Sequence, residues 1–208
     1  MNMERDVIKV LNIIGHGTHE EERVIRDLDT LLWVVEFFKK EGKRIVYTGG
    51  VYDLFHIGHA LYLEKAKQQG DILIVGVDSD ALAGQRKDPT RPIVKLEERI
   101  SILIRNRAVD IVIVRHENDD PFMLVKKIKP HVLVMSQSTK DTPIEEMRAA
   151  YKDDIGELVV FEPQATTSTS ARIGQLMQSG ASELNEKIQA VLKDHFKLDK
   201  KGGEDGKK

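Results

Sequence analysis

Five short runs of aliphatic residues, each followed by a stretch of helical character, govern what this chain can fold into. They are "RIVYT" (44–48), "DILIVGV" (71–77), "VDIVIV" (109–114), "HVLVM" (131–135) and "ELVVF" (157–161). Runs so uniformly rich in Val, Ile and Leu suit strands covered on both faces, as parallel strands are. Between them lie helical patterns. In 57–69, Ile57, Ala60, Leu61 and Leu63 can share a buried face; in "KLEERISILIRNR" (95–107), Leu96, Ile100, Leu103 and Ile104 form one stripe. "DDPFMLVKKI" (119–128) and "TPIEEMRAAYK" (142–152) read as helix starts, the second with Thr142 as cap and Pro143 in the first turn. Strands alternating with helices predict an α/β fold, a Rossmann-like, doubly wound parallel sheet of five strands.

The ends extend this unit. Val24, Leu28, Leu31, Val35 and Phe38 predict an amphipathic helix over 24–40, leading into the first strand. Residues 182–196 repeat the helical pattern, and the last dozen lack the apolar mass to order themselves. The expected organisation is a helical lead-in (1–42), a main domain (43–180), a C-terminal helix (181–197) and a disordered tail (198–208).

Composition removes several classes of function. The chain of 208 residues has 32 basic and 34 acidic side chains, which gives no bulk attraction to nucleic acid or to a membrane surface. It contains no cysteine, so disulfides, thiolate nucleophiles and cysteine-held zinc are excluded. A charged start and apolar runs far short of about 20 residues predict a cytoplasmic protein.

Chemistry concentrates in "RIVYTGGVYDLFHIGH" (44–59). In a doubly wound sheet, ligands bind beyond the carboxyl ends of the strands. With the first strand ending at Thr48, Gly49 and Gly50 would let the backbone turn tightly and approach a ligand. A helix opening near Ile57 and Gly58 aims free amides and its dipole at the same place, which suits phosphate. His56 and His59 stand one turn apart and can donate to phosphate oxygens as charge develops. Two other readings stay open: the histidines cap and pack the helix start, or Asp53, His56 and His59 ligate a metal, although no further ligand is evident.

"GGVYDLFHIGH" resembles the G-x-[FY]-D-x-x-H-x-G-H signature of the cytidylyltransferase-like nucleotidyltransferases, a HUP-type family. Within it the chain is similar to the adenylyltransferase domain of bacterial ADP-heptose synthases, from near residue 27 to "TSTSARI" (167–173). Glycerol-3-phosphate and phosphoethanolamine cytidylyltransferases share the same elements. The resemblance implies that an acceptor phosphate attacks the α-phosphate of a nucleoside triphosphate in line, releasing pyrophosphate, with Mg²⁺ as the counter-ion of the triphosphate.

Carried onto this sequence, the resemblance gives His56 and His59 the pentavalent α-phosphate and the turn Gly50–Val51–Tyr52 contacts to the nucleotide. Asp53 would order the turn, and Gly58 belongs to the same element. The segment 84–107 holds seven basic residues against three acidic; Lys87, Arg91 and Arg99 are the candidates for the triphosphate and the acceptor phosphate. Thr167, Ser168, Thr169 and Ser170 would hold the β- and γ-phosphates, while Asp78 and Asp80 could touch acceptor or ribose, or simply form a turn.

Some positions depart from the pattern. Ser138 stands where the family usually has an aspartate, in a segment that helps to recognise nucleotide and acceptor. Gly49 replaces an asparagine common in the heptose branch, and Gln164 stands near an arginine that reads cytosine in the glycerol-phosphate branch. ATP is therefore expected over CTP, with a sugar phosphate or small phosphorylated alcohol as acceptor. The alternatives are a cytidylyltransferase for glycerol 3-phosphate or a similar acceptor, and a nucleotide-binding protein that has lost turnover. An RNA-related role is disfavoured, because the lysine–serine signature of the aminoacyl-tRNA synthetases is missing. The family often dimerises; the terminal amphipathic helices could supply an interface, or equally pack within the chain.

Overall fold

The computed structural model describes residues 20–86, 90–118, 122–137, 148–149, 151–164 and 169–201. A 3-10 turn, Glu20–Arg23, leads into β1 (Val24–Ile25) and α1 (Leu28–Lys40). Then follow β2 (Ile45–Gly50), α2 (Ile57–Lys67), β3 (Ile72–Asp78), α3 (Asp80–Arg86), α4 (Leu96–Arg105) and β4 (Ile111–Arg115). The remainder is α5 (Met123–Ile128), β5 (Val132–Ser136), β6 (Glu157–Phe161) and α6 (Thr169–Lys201). The strands make one parallel sheet in the order β1-β4-β3-β2-β5-β6. The α/β, Rossmann-like fold is as expected, but among the described residues the sheet has six strands rather than five.

The added strand is Val24–Ile25, paired with Val112 and Ile113 of β4. It takes up Val24, which the periodicity assigned to a longer helix. The helix starts later because Asp27 caps it, its carboxylate accepting from the Thr30 amide at 2.8 Å. Arg23 fixes the edge strand in place, donating to the carbonyls of Ile104 at 2.7 Å and Val109 at 2.9 Å.

Two apolar layers cover the sheet. Leu31, Val34, Val35 and Phe38 of α1, with Leu124, Val125 and Ile128 of α5, pack on Ile45, Tyr47, Ile72, Ile74, Ile111 and Ile113. The opposite face carries Val46, Leu73, Val75, Val77, Val112 and Val114 under Leu63 and Ala66 of α2 and Ile100, Leu103 and Ile104 of α4. Alternation along each strand thus feeds both layers. Each fully buried aliphatic side chain contributes about 1.5–3 kcal/mol.

Helix α2 is rotated relative to the expected face. Gly58, Leu63 and Ala66 are buried, whereas Ile57 and Leu61 are exposed. His56 caps the first turn, and Ile57, which follows it, is 56% exposed rather than packed on the sheet. The helix expected over 142–152 lies largely outside the described residues. Helix α6 contains the segment 182–196 and runs without a break from 169 to 201. The chain divides into two compact units, Met1–Thr166 and Thr167–Lys208, the second built around this helix.

Candidate active site

The sheet order reverses at β2, whose neighbours are β3 on one side and β5 on the other. Such a switch point opens a crevice at the carboxyl ends of the strands. The ladders show it forming. β2 pairs with β3 all the way to Gly50↔Val77, but with β5 only at Val46↔Val132 and Tyr47↔Leu133. Beyond that the strands part, and the hydroxyl of Tyr62 from α2 fills the gap. It shares a hydrogen bond with Thr48 Oγ1 at 2.7 Å and donates to the Val134 carbonyl at 3.2 Å.

Gly49 and Gly50 do not form the turn; they are the last two residues of β2, and neither has a positive φ. Their lack of a Cβ makes room for side chains instead. A Cβ at Gly49 would lie 2.9 Å from the guanidinium of Arg115, and one at Gly50 would lie 3.1 Å from the ring of Tyr52. The turn follows at Val51–Phe55, where the left-handed backbone falls on Tyr52 (φ 55) and Leu54 (φ 46). Non-glycine residues there cost about 1–3 kcal/mol each and persist only when their surroundings over-determine them.

Asp53, between the two strained residues, does much of that. Its carboxylate is buried and accepts from the amides of Val94 (2.9 Å) and Ile93 (3.1 Å) and from Arg91 Nη1 (2.9 Å). Burial alone would raise its pKa, but the two amides and Arg91 outweigh this and hold it below the usual carboxylate range. Asp53 therefore ties the turn to the segment 91–94 and sets the position of Arg91.

Arg99 holds the same turn from beneath. Its side chain is fully buried and donates to Val51 O (2.6 Å), Val94 O (2.9 Å) and Asp80 Oδ1 (2.8 Å). The expectation that Arg99 meets the triphosphate is corrected: it is an internal strut with no surface for a ligand. The sequence placed a cation near the site but could not show that the helix turns it inward, beside Ile100 and Leu103. Asp80 is bound to this strut, with Lys95 Nζ 3.8 Å away. Asp78 is 1% exposed and paired with Arg115, so it does not face an acceptor.

The histidines come together as the spacing predicts. His56 caps α2, its Nδ1 accepting from the Gly58 amide at 3.1 Å. That bond assigns the ring proton of the neutral imidazole to Nε2, as a donor. The ring of His59 stacks on His56 with centroids 3.9 Å apart and meets the edge of Tyr52 at 5.5 Å and Phe55 at 5.4 Å. Capping and proton donation are thus two edges of one ring, not rival readings. Asp53 is turned toward 91–94, and among the described residues no group of three is placed to hold a metal ion.

Gly50 ends β2, Val51 and Tyr52 open the turn that follows it, and Gly58 lies in the first turn of α2. Thr169 and Ser170 open α6, in the second unit. Lys87, Ser138, Thr167 and Ser168 lie outside the described residues. Sequence reasoning missed Arg115 and Tyr62; the signal for the first was a cation closing an aliphatic run, "IVIVR". Among the described residues no helix is long and apolar enough to cross a membrane.

Comparison with known proteins bears on the family and the fold. The chain is 40% identical over 126 residues to the bifunctional protein HldE of Geotalea uraniireducens, covering 61% of this chain and 26% of that protein. It is 32% identical over 169 residues to the namesake from Syntrophotalea carbinolica, covering 80% and 34%. The chain thus spans a quarter to a third of the length of these relatives. Among solved structures it is similar to a pantoate–β-alanine ligase from Francisella tularensis, with a TM-score of 0.52 at 15% identity, over 71% of this chain and 68% of that one. That likeness concerns the fold alone. The model of the cytidylyltransferase-like family matches residues 47–173, from the middle of β2 into α6, and the chain belongs to that nucleotidyltransferase family.

Proposed function

We propose that this chain transfers a nucleoside monophosphate from a nucleoside triphosphate, ATP in preference to CTP, to a phosphorylated acceptor, and releases pyrophosphate. The acceptor is a sugar phosphate or a small phosphorylated alcohol. The observation that carries this reading is the histidine pair. His56, fixed by its cap, is stacked on His59 at the carboxyl end of the strand beside the switch point.

The chemistry needs no covalent intermediate on the protein. An oxygen of the acceptor phosphate attacks the α-phosphorus, a new P–O bond forms, and the bond to the bridging oxygen of pyrophosphate breaks. Charge grows on the α-phosphate oxygens as this happens. The Nε2–H of His56 donates to them from a fixed orientation, and His59, packed against Tyr52 and Phe55, is held beside it. Arg91, oriented by Asp53 through one nitrogen, has further N–H donors for the triphosphate. Mg²⁺ would travel with the triphosphate, because Asp53, Asp78 and Asp80 are each already engaged by arginine.

The test is a pyrophosphate-release screen crossing ATP, CTP, GTP and UTP with sugar phosphates and phosphorylated alcohols in the presence of Mg²⁺. One pair should react, and His59→Ala should slow it by about 10²–10³ while leaving the melting temperature nearly unchanged. No release from any pair, with nucleotide still raising the melting temperature, would favour the binding protein without turnover.

A further inference from the structure

Arg115 closes β4, in register with Asp78 at the end of β3. Its side chain leans back over Gly76 of β3 and reaches Gly49 of β2. This is a span of two strand spacings, about 10 Å. A Cβ at Gly76 would stand 3.2 Å from its Cδ, and one at Gly49 would stand 2.9 Å from both Cζ and Nη1. Gly49 is the floor on which the guanidinium lies, and a side chain there would displace it; at Gly76 a Cβ would collide first with the hydroxyl of Tyr47. Arg115 Nη2 forms an ion pair with Asp78 Oδ1. Arg115 Nε is buried and has no hydrogen-bond partner among the described residues.

A charge pair is a poor choice if packing is the only need. Replacing a buried pair by aliphatic residues is often neutral or stabilising. The same face of the sheet does use Ile45, Ile72, Ile74, Ile111 and Ile113 immediately below. The change from isoleucine to an ion pair occurs where that face reaches the carboxyl edge. It also occurs next to the histidine turn. Gly49, under the guanidinium, is followed by Gly50, which faces the ring of Tyr52, and that ring meets His59.

We propose that Arg115 is a substrate-binding residue that takes the phosphate group of the acceptor, with Asp78 as the buried carboxylate that positions it. This rests on the transferase reading given above. The division of roles follows from exposure: the side chain of Asp78 is 1% exposed and cannot meet a ligand, while that of Arg115 is 13% exposed and keeps an edge toward solvent. The ligand chemistry follows from the donor set. A guanidinium offers only N–H groups, in a planar fork that matches two oxygens of a phosphate monoester. An acceptor presenting an amine at this point would be rejected.

Three variants test this: Arg115→Met, Arg115→Lys, and Gly49→Ala, whose methyl displaces the guanidinium without removing its charge. In the pyrophosphate assay, Arg115→Met should raise KM for the acceptor by about tenfold to a hundredfold, the loss of a hydrogen bond to a charged group. KM for the nucleotide should stay within about twofold, and Arg115→Lys and Gly49→Ala should fall between wild type and Arg115→Met. Equal effects on both substrates, or an unchanged acceptor KM, would overturn the assignment and leave a structural pair. The second readout needs no turnover: the rise in melting temperature given by glycerol 3-phosphate and glucose 1-phosphate, with wild type and each variant. If wild type releases no pyrophosphate, the transferase reading fails, yet this readout still decides on Arg115. A rise that is lost in Arg115→Met and reduced in Gly49→Ala upholds the anion site; a rise retained in all variants, or absent from wild type, overturns it.

Discussion

Replacing Asp53 by asparagine keeps the shape of the side chain and removes its charge. The carboxylate accepts three bonds: Val94 N–H on one oxygen, and Ile93 N–H and Arg91 Nη1 on the other. An asparagine has one oxygen, so its amide group must face at least one of these donors. Each bond to a charged group contributes about 1.5–3 kcal/mol, and a buried donor left unsatisfied costs about 1–3 kcal/mol. Relaxation at Tyr52 and Leu54 returns part of this, because each stores about 1–3 kcal/mol in left-handed backbone. The expected net loss is about 2–4 kcal/mol. Urea denaturation followed by circular dichroism should show it as a midpoint lowered by about 1–2 M, taking a slope near 2 kcal/mol/M. The same clamp gives a signature in acid. Asp53 titrates below its unfolded value, so its contribution is complete above about pH 4 and is lost as pH falls through the folded value. The variant should lose this part of the acid dependence. A stability change under about 0.5 kcal/mol, with the acid limb unaltered, would refute the claim that Asp53 holds the turn.

Two further outcomes follow from features outside the site. Lys129 ends α5 in left-handed backbone (φ 46) with an exposed side chain 3.4 Å from Asp154. Lys129→Gly should therefore stabilise the protein by about 0.5–1 kcal/mol in urea titrations, since a surface pair is worth little and glycine suits that position; a loss of stability would show that the pair outweighs the backbone. His131 Nδ1 accepts from the Ile45 amide at 2.9 Å, and burial, then Lys39 and Arg44, lower its pKa. The unfolded chain then takes the proton first, so stability should fall as pH drops below about 6.5 toward the folded value. Melting curves of wild type and His131→Gln should diverge over that interval; parallel curves would discount the histidine.

The parts of this fold that were legible in the sequence are those with a local cause. Aliphatic runs and the His-x-Gly-His spacing report directly on strands and on one helix start. Val24–Ile25 escaped because two residues cannot establish a period, and their neighbours continue a helical one. Arginines were the hardest to place. Arg91, Arg99 and Arg115 carry the same charge, but one is clamped by a carboxylate, one is turned into the core, and one lies on a glycine floor. Those differences arise from helix rotation and from gaps left by residues far away in the chain. The glycines show the same point: Gly49 and Gly50 looked like turn residues, and their role is to vacate space for Arg115 and Tyr52.

The short ladder between β2 and β5 has a consequence for how the molecule opens. Among the described residues, four strands on one side of the switch point and two on the other are laddered only at Val46 and Tyr47, with the Ile45 amide on His131 Nδ1 and the Arg44–Glu157 pair at one end of the seam and the hydroxyl of Tyr62 at the other. Amides of β3, laced to both its neighbours, should exchange with solvent deuterium only on global unfolding, whereas β5 and β6 can part from the rest as a lesser unit. The crevice that admits a ligand is then also the line of least cooperativity, and a ligand bridging it would slow exchange on both banks at once.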